Sequence, residues 1–224
     1  MMSHRRRKGA LKIVAFDMDG TIIDGRVIDA IGEKFGFTSE IRKITKSSRL
    51  PYLRLKRIAR LLRGIPSSEV SAAVEKIPLT DGSTQTMRKL KEMKFKVGII
   101  SDSYTLATEI VGRKLDMDFT VANRLEVKNG VITGVLRMPM GWEKVGCSCK
   151  QSVCKRYALA QVAQIYHVNL SQSVAVGDSS SDLCMIRNAG LGIWFSPSES
   201  APVGKGDCTI RSRDMRLILK YVIS

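Results

Sequence analysis

Short apolar runs alternate with stretches of helical periodicity along most of the chain. The apolar runs end in polar turns, as buried strands do, and predict strands at 12–16, 96–100, 119–122, 173–176 and 191–195. A β-hairpin is expected at 125–136, where Asn129-Gly130 separates alternating apolar residues. Helices are expected at about 80–93, from the polar residues 101–103 to about 115, and at 152–166, 181–188 and 212–222. This alternation favours an α/β fold with a mostly parallel sheet covered by helices.

The segment 24–79 interrupts the alternation. It has helical periodicity without a convincing strand, and the periodicity is broken at Pro51 and at 64–66 (Gly-Ile-Pro). A helical block placed after the first strand indicates an insertion. We therefore expect an α/β core formed by 1–23 and 80–224, with 24–79 as a helical cap.

Length and composition are those of a globular protein. The chain has 224 residues, of which 44% are hydrophobic and 26% charged, and this fits one domain with a modest insertion. Its longest apolar runs fall far short of the roughly 20 residues that span a bilayer. The basic N-terminus lacks the apolar stretch of a signal peptide. We expect a cytoplasmic protein with no membrane partner.

The formal charge is strongly positive, at +16, which attracts anions such as phosphate esters or nucleic acid. The surplus concentrates at 5–8 and at 41–63, a stretch with nine basic residues and no acidic one. This stretch is interpreted either as a solvated helical face or as an attractor of phosphorylated substrates. Nucleic-acid binding is the least favoured interpretation, because aromatic residues make up only 6% and no recognised nucleic-acid motif is present.

Three predicted strands end in polar residues that could carry chemistry. Asp17 and Asp19 follow the first strand, Ser101 follows the second, and Asp178 with Asp182 follows the fourth. If these strands are neighbours in a parallel sheet, their carboxyl ends meet at one crevice. Carboxylates at such a short separation repel each other unless a cation lies between them. A ligand set made only of oxygen atoms suits Mg²⁺.

Lys155, at the start of a predicted helix, adds a fixed positive charge. Carboxylates, a hard cation, a hydroxyl and a lysine suit phosphoryl transfer, in which positioning and charge neutralisation supply most of the catalysis. Taken singly, each residue has a more ordinary interpretation as a helix cap, a surface loop or a solvated lysine. Their joint occurrence in a consistent order at strand ends favours the catalytic interpretation.

These stretches resemble the four motifs of the haloacid dehalogenase (HAD) superfamily. The matching residues are Asp-Met-Asp-Gly-Thr at 17–21, Ser101, Lys155, and Gly-Asp-Ser-Ser-Ser-Asp at 177–182. The similarity extends across nearly the whole chain, and Ala-Asn-Arg-Leu at 122–125 with its hairpin resembles the phosphoserine phosphatase branch. The resemblance implies a Rossmann-like core of HAD type with a C1-type helical cap.

The resemblance also implies catalytic and substrate-binding roles. Asp17 is the expected nucleophile, which forms an aspartyl-phosphate, and Asp19 is the expected general acid and base. Ser101, with Asp102 and Ser103 after it, is expected to hold the phosphoryl oxygens.

A lysine and a metal site complete the implied set. Lys155 neutralises charge on the nucleophile and the phosphate; Lys150 is the alternative, and Lys155 is preferred because its distance to Asp178 matches the family without a gap. The expected Mg²⁺ ligands are Asp17, the carbonyl oxygen of Asp19, and Asp178. Asp182 is expected to orient the waters of the metal, or Lys155.

Four positions depart from the branch. Arg26 occupies the place of an acidic residue that meets the substrate's ammonium group, and an arginine there repels an amine and welcomes a carboxylate or a second phosphate. Asp102-Ser103 replaces Gly-Gly and resembles a branch that transfers phosphate from phosphoserine to homoserine. Ser181 replaces the usual Asn. Arg57 is a candidate contact for a substrate carboxylate.

The cysteines leave two interpretations open. Cys147, Cys149 and Cys154 fall within eight residues. They could bind Zn²⁺ with His167 or another cysteine as the fourth ligand, but the spacing is not a standard zinc signature. Reduced structural thiols are the favoured alternative in a reducing compartment.

The sequence thus predicts a Mg²⁺-dependent phosphatase that hydrolyses small phosphorylated metabolites of the phosphoserine type through an aspartyl-phosphate. One alternative is a phosphotransferase with an alcohol acceptor such as homoserine. A less favoured one is a non-catalytic protein that binds nucleic acid through the basic cap. The oligomeric state stays open, a homodimer included.

Overall fold

A computed structural model describes residues 10–199 and 201–223, so the predicted basic tail at 5–8 lies outside the described residues. Seven strands form one sheet in the order β4-β3-β2-β1-β5-β6-β7. All neighbours are parallel except β3 and β4, which confirms the predicted α/β fold. The strands are β1 Ile13–Phe16, β2 Lys96–Tyr104, β3 Phe119–Lys128, β4 Val131–Arg137, β5 Ser173–Gly177, β6 Leu191–Phe195 and β7 Cys208–Ile210.

Helices cover both faces of the sheet and fill the segment between β1 and β2. They are α1 Val27–Phe35, α2 Thr38–Ser47, α3 Pro51–Leu61, α4 Ser67–Glu75, α5 Ser83–Glu92, α6 Thr105–Lys114, α7 Lys155–Ile165, α8 Leu183–Ile186 and α9 Leu219–Val222. None of the described helices is both long enough and apolar enough to cross a bilayer.

The central strand β1 is buried on both faces, as expected for a parallel sheet between helix layers. Val14 and Phe16 join one core cluster, which also contains Leu90 of α5. Ile13 and Ala15 point the other way into a second cluster, with Leu159 of α7. This two-residue alternation fixes which way each side chain after the strand can point.

Strand order brings the predicted functional residues together. β1 lies between β2 and β5, and Phe16 pairs in register with Ile99 on one side and Val176 on the other. The residues that follow these positions along the three strands therefore lie at the same edge of the sheet. Asp17 lies there between the later part of β2 and the end of β5.

The hairpin β3–β4 forms where the sequence predicts it. Asn129 (φ 50°) and Gly130 (φ 76°) both adopt the left-handed conformation that a two-residue type I′ turn requires. The predicted strand 119–122 is too short, because β3 continues without a break through to the turn.

The helical segment α1–α4 contains no regular strand, as the sequence predicts. Its basic helix α3 is amphipathic and buries Leu55, Ile58 and Ala59. The chain between α3 and α4 pairs with the hairpin through main-chain hydrogen bonds. Gly64 N–H donates to Ile132 O at 2.9 Å, and Ser67 N–H donates to Gly130 O at 2.8 Å.

Four other features of local structure differ from the sequence predictions. β2 does not end at 100 but continues through a register irregularity to Tyr104. The helix predicted at 181–188 is shorter, with a 3₁₀ turn followed by α8, and the one at 212–222 is replaced by a 3₁₀ turn and the short α9. The sequence does not predict β7, because its three residues are too few to show an alternating pattern.

Candidate active site

Three carboxylates converge at the carboxyl edge of the sheet. Asp17 directly follows β1, and its N–H donates to Val176 O of β5 at 2.8 Å. Asp178 directly follows β5, and Asp182 lies in the 3₁₀ turn after it. Carboxylate oxygens of these three aspartates all lie within 4.8 Å of one another.

Lys155 inserts its ammonium group into this cluster. It is the first residue of α7 and is only 1% exposed. Its Nζ lies 2.6 Å from Asp17 Oδ1 and 2.5 Å from Asp182 Oδ1. Burial acts to lower the pKa of Lys155, but the two carboxylates outweigh it and hold the pKa above its usual value. The alternative Lys150 is exposed in the loop before α7.

Asp182 holds the cluster in place through contacts of both its carboxylate oxygens. Its Oδ2 accepts hydrogen bonds from the N–H groups of Ser179 at 2.9 Å and Asp178 at 3.2 Å, while Oδ1 meets Lys155. Gly177 leaves room for this carboxylate, because a Cβ there would lie 2.3 Å from Asp182 Cγ. Asp182 therefore fixes both the loop that carries Asp178 and the ammonium of Lys155.

Asp19 stands apart from the carboxylate cluster. Its Oδ1 accepts a hydrogen bond from Val27 N–H, at the start of α1, at 2.7 Å. Burial raises the pKa of Asp19 to about 7; the Val27 N–H opposes the rise and Asp102 adds to it. A carboxyl group with such a pKa exchanges its proton readily near neutral pH.

Ser101 lies inside β2 rather than after it, at the register irregularity. It is fully buried, and its Oγ accepts a hydrogen bond from Ser103 N–H at 3.1 Å. The carbonyl oxygen of Asp102 accepts from Asn123 Nδ2 of β3 at 2.5 Å. Asn123 in turn donates to Ser152 Oγ at 2.8 Å. These bonds hold the backbone at 101–103 in a fixed shape beside Asp17.

The two predicted arginine contacts lie farther out. Arg26 immediately precedes α1 and is exposed, and its positive charge acts to lower the pKa of Asp19. Arg57 is exposed on α3 and donates to Ser47 Oγ of α2 at 3.3 Å. Among the described contacts, none joins Arg57 to the carboxylate cluster, so its binding role stays a prediction.

Two residues of the site had no role assigned from the sequence. Thr21 donates from Oγ1 to Asp178 Oδ1 at 3.2 Å. Tyr104, at the end of β2, is 1% exposed, and its hydroxyl has no hydrogen-bond partner among the described residues. Asp19 and Asp102 act on this hydroxyl electrostatically. Thr21 belongs to the Asp-Met-Asp-Gly-Thr motif at 17–21, which could have indicated its role. The sequence around Tyr104 shows only the pattern of a buried core residue.

The carboxylate cluster has the properties of a site for a hard cation. Burial, together with Asp182, raises the pKa of Asp17 well above its usual range, against the effect of Lys155. Burial and Asp182 likewise raise the pKa of Asp178 to about 6. Asp17 Oδ1 is buried and accepts no hydrogen bond of good geometry, although the ammonium of Lys155 is near. A divalent cation would relieve the repulsion and use these oxygens.

The arrangement therefore brings together a buried carboxylate, a second carboxyl group with a pKa near neutral pH, and a fixed ammonium. A buried hydroxyl, Ser101, lies on the neighbouring strand. This set suits covalent transfer of a group that carries negative charge.

Known proteins are similar to this chain in fold and in sequence. Residues 14–187 match the family model described as haloacid dehalogenase-like hydrolase. Phosphoserine phosphatases of Methanocaldococcus jannaschii and Lactococcus lactis are 34% and 32% identical to the chain. Each alignment covers 94% of this chain, and they cover 97% and 94% of the relatives. A substrate-bound phosphoserine phosphatase complex has a TM-score of 0.79 at 31% identity, over 96% of this chain and 100% of the other. A phospho-aspartyl intermediate analogue of phosphoserine phosphatase has the same TM-score at 32% identity, with the same coverage.

Proposed function

The chain belongs to the haloacid dehalogenase-like hydrolase family and is a phosphoric monoester hydrolase, and we propose that it is a Mg²⁺-dependent phosphatase of small phosphorylated metabolites. The proposal includes an aspartyl-phosphate intermediate on Asp17. The contact of Asp17, Lys155, Asp178 and Asp182 in one buried cluster is the observation that carries it. A relative of similar fold has been described as a phospho-aspartyl intermediate analogue.

Asp17, Asp178 and the carbonyl oxygen of Asp19 are the residues proposed to hold Mg²⁺. The cation, when bound, neutralises negative charge on the carboxylates and the phosphoryl group. Asp182 is better suited to positioning than to direct ligation, because both of its oxygens already accept bonds from protein groups. Thr21 orients the Asp178 carboxylate through its hydroxyl.

The first proposed step is attack by an Asp17 carboxylate oxygen on phosphorus. The bond between phosphorus and the ester oxygen breaks, and Asp19 gives its proton to the departing alcohol. In the second step Asp19 removes a proton from water, which attacks phosphorus and releases phosphate from Asp17. Ser101 and the N–H groups that follow it are proposed to bind the phosphoryl oxygens, and the ammonium of Lys155 balances their charge.

The helices α1–α4 are proposed to form a cap over the site, with the core formed by 1–23 and 80–224. α1 begins at the residue whose N–H holds Asp19, so this segment contacts the general acid directly. A closed cap would exclude competing water from the aspartyl-phosphate. The free thiols at all five cysteines are compatible with a cytoplasmic enzyme.

Phosphoserine is the first substrate to test, because the named relatives are phosphoserine phosphatases. Arg26 argues for a second class, phosphate esters that carry a carboxylate or a second phosphate but no amine. Measurement of kcat/KM on a panel of both substrate classes shows which class the enzyme prefers.

We expect Arg26→Glu to raise kcat/KM for phosphoserine and to lower it for the amine-free acids. An unchanged ratio of kcat/KM between the two classes would show that Arg26 does not select the substrate.

Asp102-Ser103 supports a second candidate, transfer of the phosphoryl group to an alcohol such as homoserine. Added homoserine would then accelerate consumption of the phosphate donor and yield a phosphorylated alcohol in place of free phosphate. Product analysis by phosphorus NMR distinguishes this from hydrolysis, in which all the phosphate released is inorganic.

The central test is the hydrolysis of an aryl phosphate by the Asp17→Asn variant. We expect its rate to fall by at least about a thousandfold, because the nucleophile is lost. Asp116→Asn, at an exposed carboxylate outside the site, is the matched control and should keep full activity. Activity that survives in Asp17→Asn, or in the wild type after chelation of divalent cations, would refute the proposal.

A further inference from the structure

Four of the five cysteines lie together next to the catalytic lysine. Cys147, Cys149 and Cys154 belong to the loop that leads into α7, and their sulfurs lie within 4.8 Å of one another. Cys184 comes from α8, and Cys149 and Cys184 both line one surface cavity of about 380 Å³. Cys208, the fifth, lies in β7 at the far edge of the sheet.

The thiol of Cys184 lies near this group of three sulfurs. Cys184 lines the same cavity as Cys149, and the Cys149 side chain acts to lower the pKa of Cys184. Cys184 is not among the three cysteines whose sulfurs all lie within 4.8 Å of one another. A tetrahedral ion with four thiolate ligands at about 2.3 Å needs sulfurs about 3.8 Å apart, so Cys184 would have to move inward to complete the set.

Cys154 lies at the N-terminal end of a helix. It immediately precedes the first turn of α7, where the helix dipole favours negative charge. The Cys149 side chain and burial raise the pKa of the Cys154 thiol, and the helix dipole acts against that rise.

We infer that Cys147, Cys149, Cys154 and Cys184 bind one Zn²⁺ ion in a closed structural site separate from the carboxylate cluster. On binding, the four thiols lose their protons and form four zinc–sulfur bonds without any change in oxidation state. A set of four sulfurs selects zinc over Mg²⁺, which prefers oxygen ligands. His167, the alternative fourth ligand from the sequence, is exposed beyond the end of α7, roughly 20 Å along the helix from Cys154.

The site would join two segments that carry catalytic residues. Lys155 directly follows Cys154, and Asp182 lies two residues before Cys184. The loop 138–154 contains no helix or strand of its own, so its path depends on such cross-links. A zinc ion bound there would hold the start of α7 against α8 and keep Lys155 and Asp182 in contact.

The first test measures the zinc content of the full-length protein after expression with added zinc and removal of loosely bound metal. We expect about one zinc ion per chain in the wild type. Cys149→Ser and Cys184→Ser should each reduce the content at least about tenfold, because each removes a ligand. Cys208→Ser is the matched control and should retain zinc. A wild type without zinc, or a Cys184→Ser variant that keeps it, would overturn the proposed ligand set.

The second test uses Co²⁺ in the wild-type protein and so does not depend on the folding of variants. Four thiolates should give an intense sulfur-to-cobalt band in the near ultraviolet and strong visible bands of a tetrahedral ion. Added zinc should abolish both. Weak octahedral bands, or a disulfide among these cysteines in freshly purified protein, would contradict the proposal. Asp17→Asn should bind the same amount of zinc, so the outcome is independent of whether the proposed phosphatase mechanism holds.

Discussion

At the scale of single residues, the site is organised by Lys155. Its ammonium lies between Asp17 and Asp182, and all three side chains are almost completely buried. From the sequence, Lys155 is one of two candidate lysines near a predicted helix start, and it is preferred over Lys150 because its distance to Asp178 matches the family. The family resemblance leaves open whether Asp182 orients Lys155 or the waters of the metal, and the structure shows its contact with Lys155.

Removal of this ammonium should affect folding as well as catalysis. Lys155→Met would leave two buried carboxylates without their partner, and we expect it to lower the free energy of unfolding by about 3–5 kcal/mol when no metal is added. Urea titration measures the loss. Lys150→Met, at the exposed neighbouring lysine, should change stability by less than about 0.5 kcal/mol. Adding Asp182→Asn to Lys155→Met should recover part of the loss; equal effects of the two lysine variants would contradict the buried ion pair.

Gly177 is required by the position of Asp182. Gly177→Ala would place a methyl group 2.3 Å from Asp182 Cγ, so the carboxylate must move. We expect a loss of about 1–3 kcal/mol in stability together with reduced kcat, measured by urea titration and initial rates. Gly204→Ala, where a Cβ would meet nothing within 4 Å, is the control and should be near neutral.

At the scale of elements, the mostly parallel sheet could be predicted, but the order of its strands and the shape of β2 could not. The sequence predicts that the functional residues meet only if their strands are neighbours, and the structure shows that β1 lies between β2 and β5. The irregularity in β2 at 101–103 is held by Asn123 of β3 and by Ser152 of the following loop. These partners are distant in sequence, so no local pattern could indicate them. For the same reason the sequence could not show which other cysteine lies near Cys147, Cys149 and Cys154.

Asn123 should therefore influence phosphate binding without touching the phosphate. Asn123→Ala removes the bond to the Asp102 carbonyl, which frees the backbone beside Ser101. We expect kcat/KM to fall about 10- to 100-fold. Most of this change should appear as a higher KM, because the substitution impairs phosphate binding. Initial-rate kinetics give both values. Asn169→Ala, in the turn before β5, serves as the control, and an unchanged KM in Asn123→Ala would argue against this positioning role.

At the scale of the whole molecule, the +16 charge should accelerate capture of anionic substrates. Salt screens exposed charges, so we expect kcat/KM for a phosphate ester to fall about three- to tenfold between low and high sodium chloride. Replacement of the exposed Arg42, Lys43 and Lys46 by Gln should flatten this dependence while kcat is preserved. If kcat/KM of the wild type does not change with salt, the basic helices do not attract substrate, and their charges only form a solvated face.

The main-chain bonds between 64–67 and the hairpin restrict both assembly and motion. They occupy polar groups on the outer side of β4, the last strand at that edge of the sheet, so another polypeptide cannot extend the sheet across this stretch. The same bonds fasten the junction of α3 and α4 to the α/β layer. If the proposed cap opens for a substrate while these bonds stay intact, the junction of α3 and α4 would remain fixed as the rest of the cap moves.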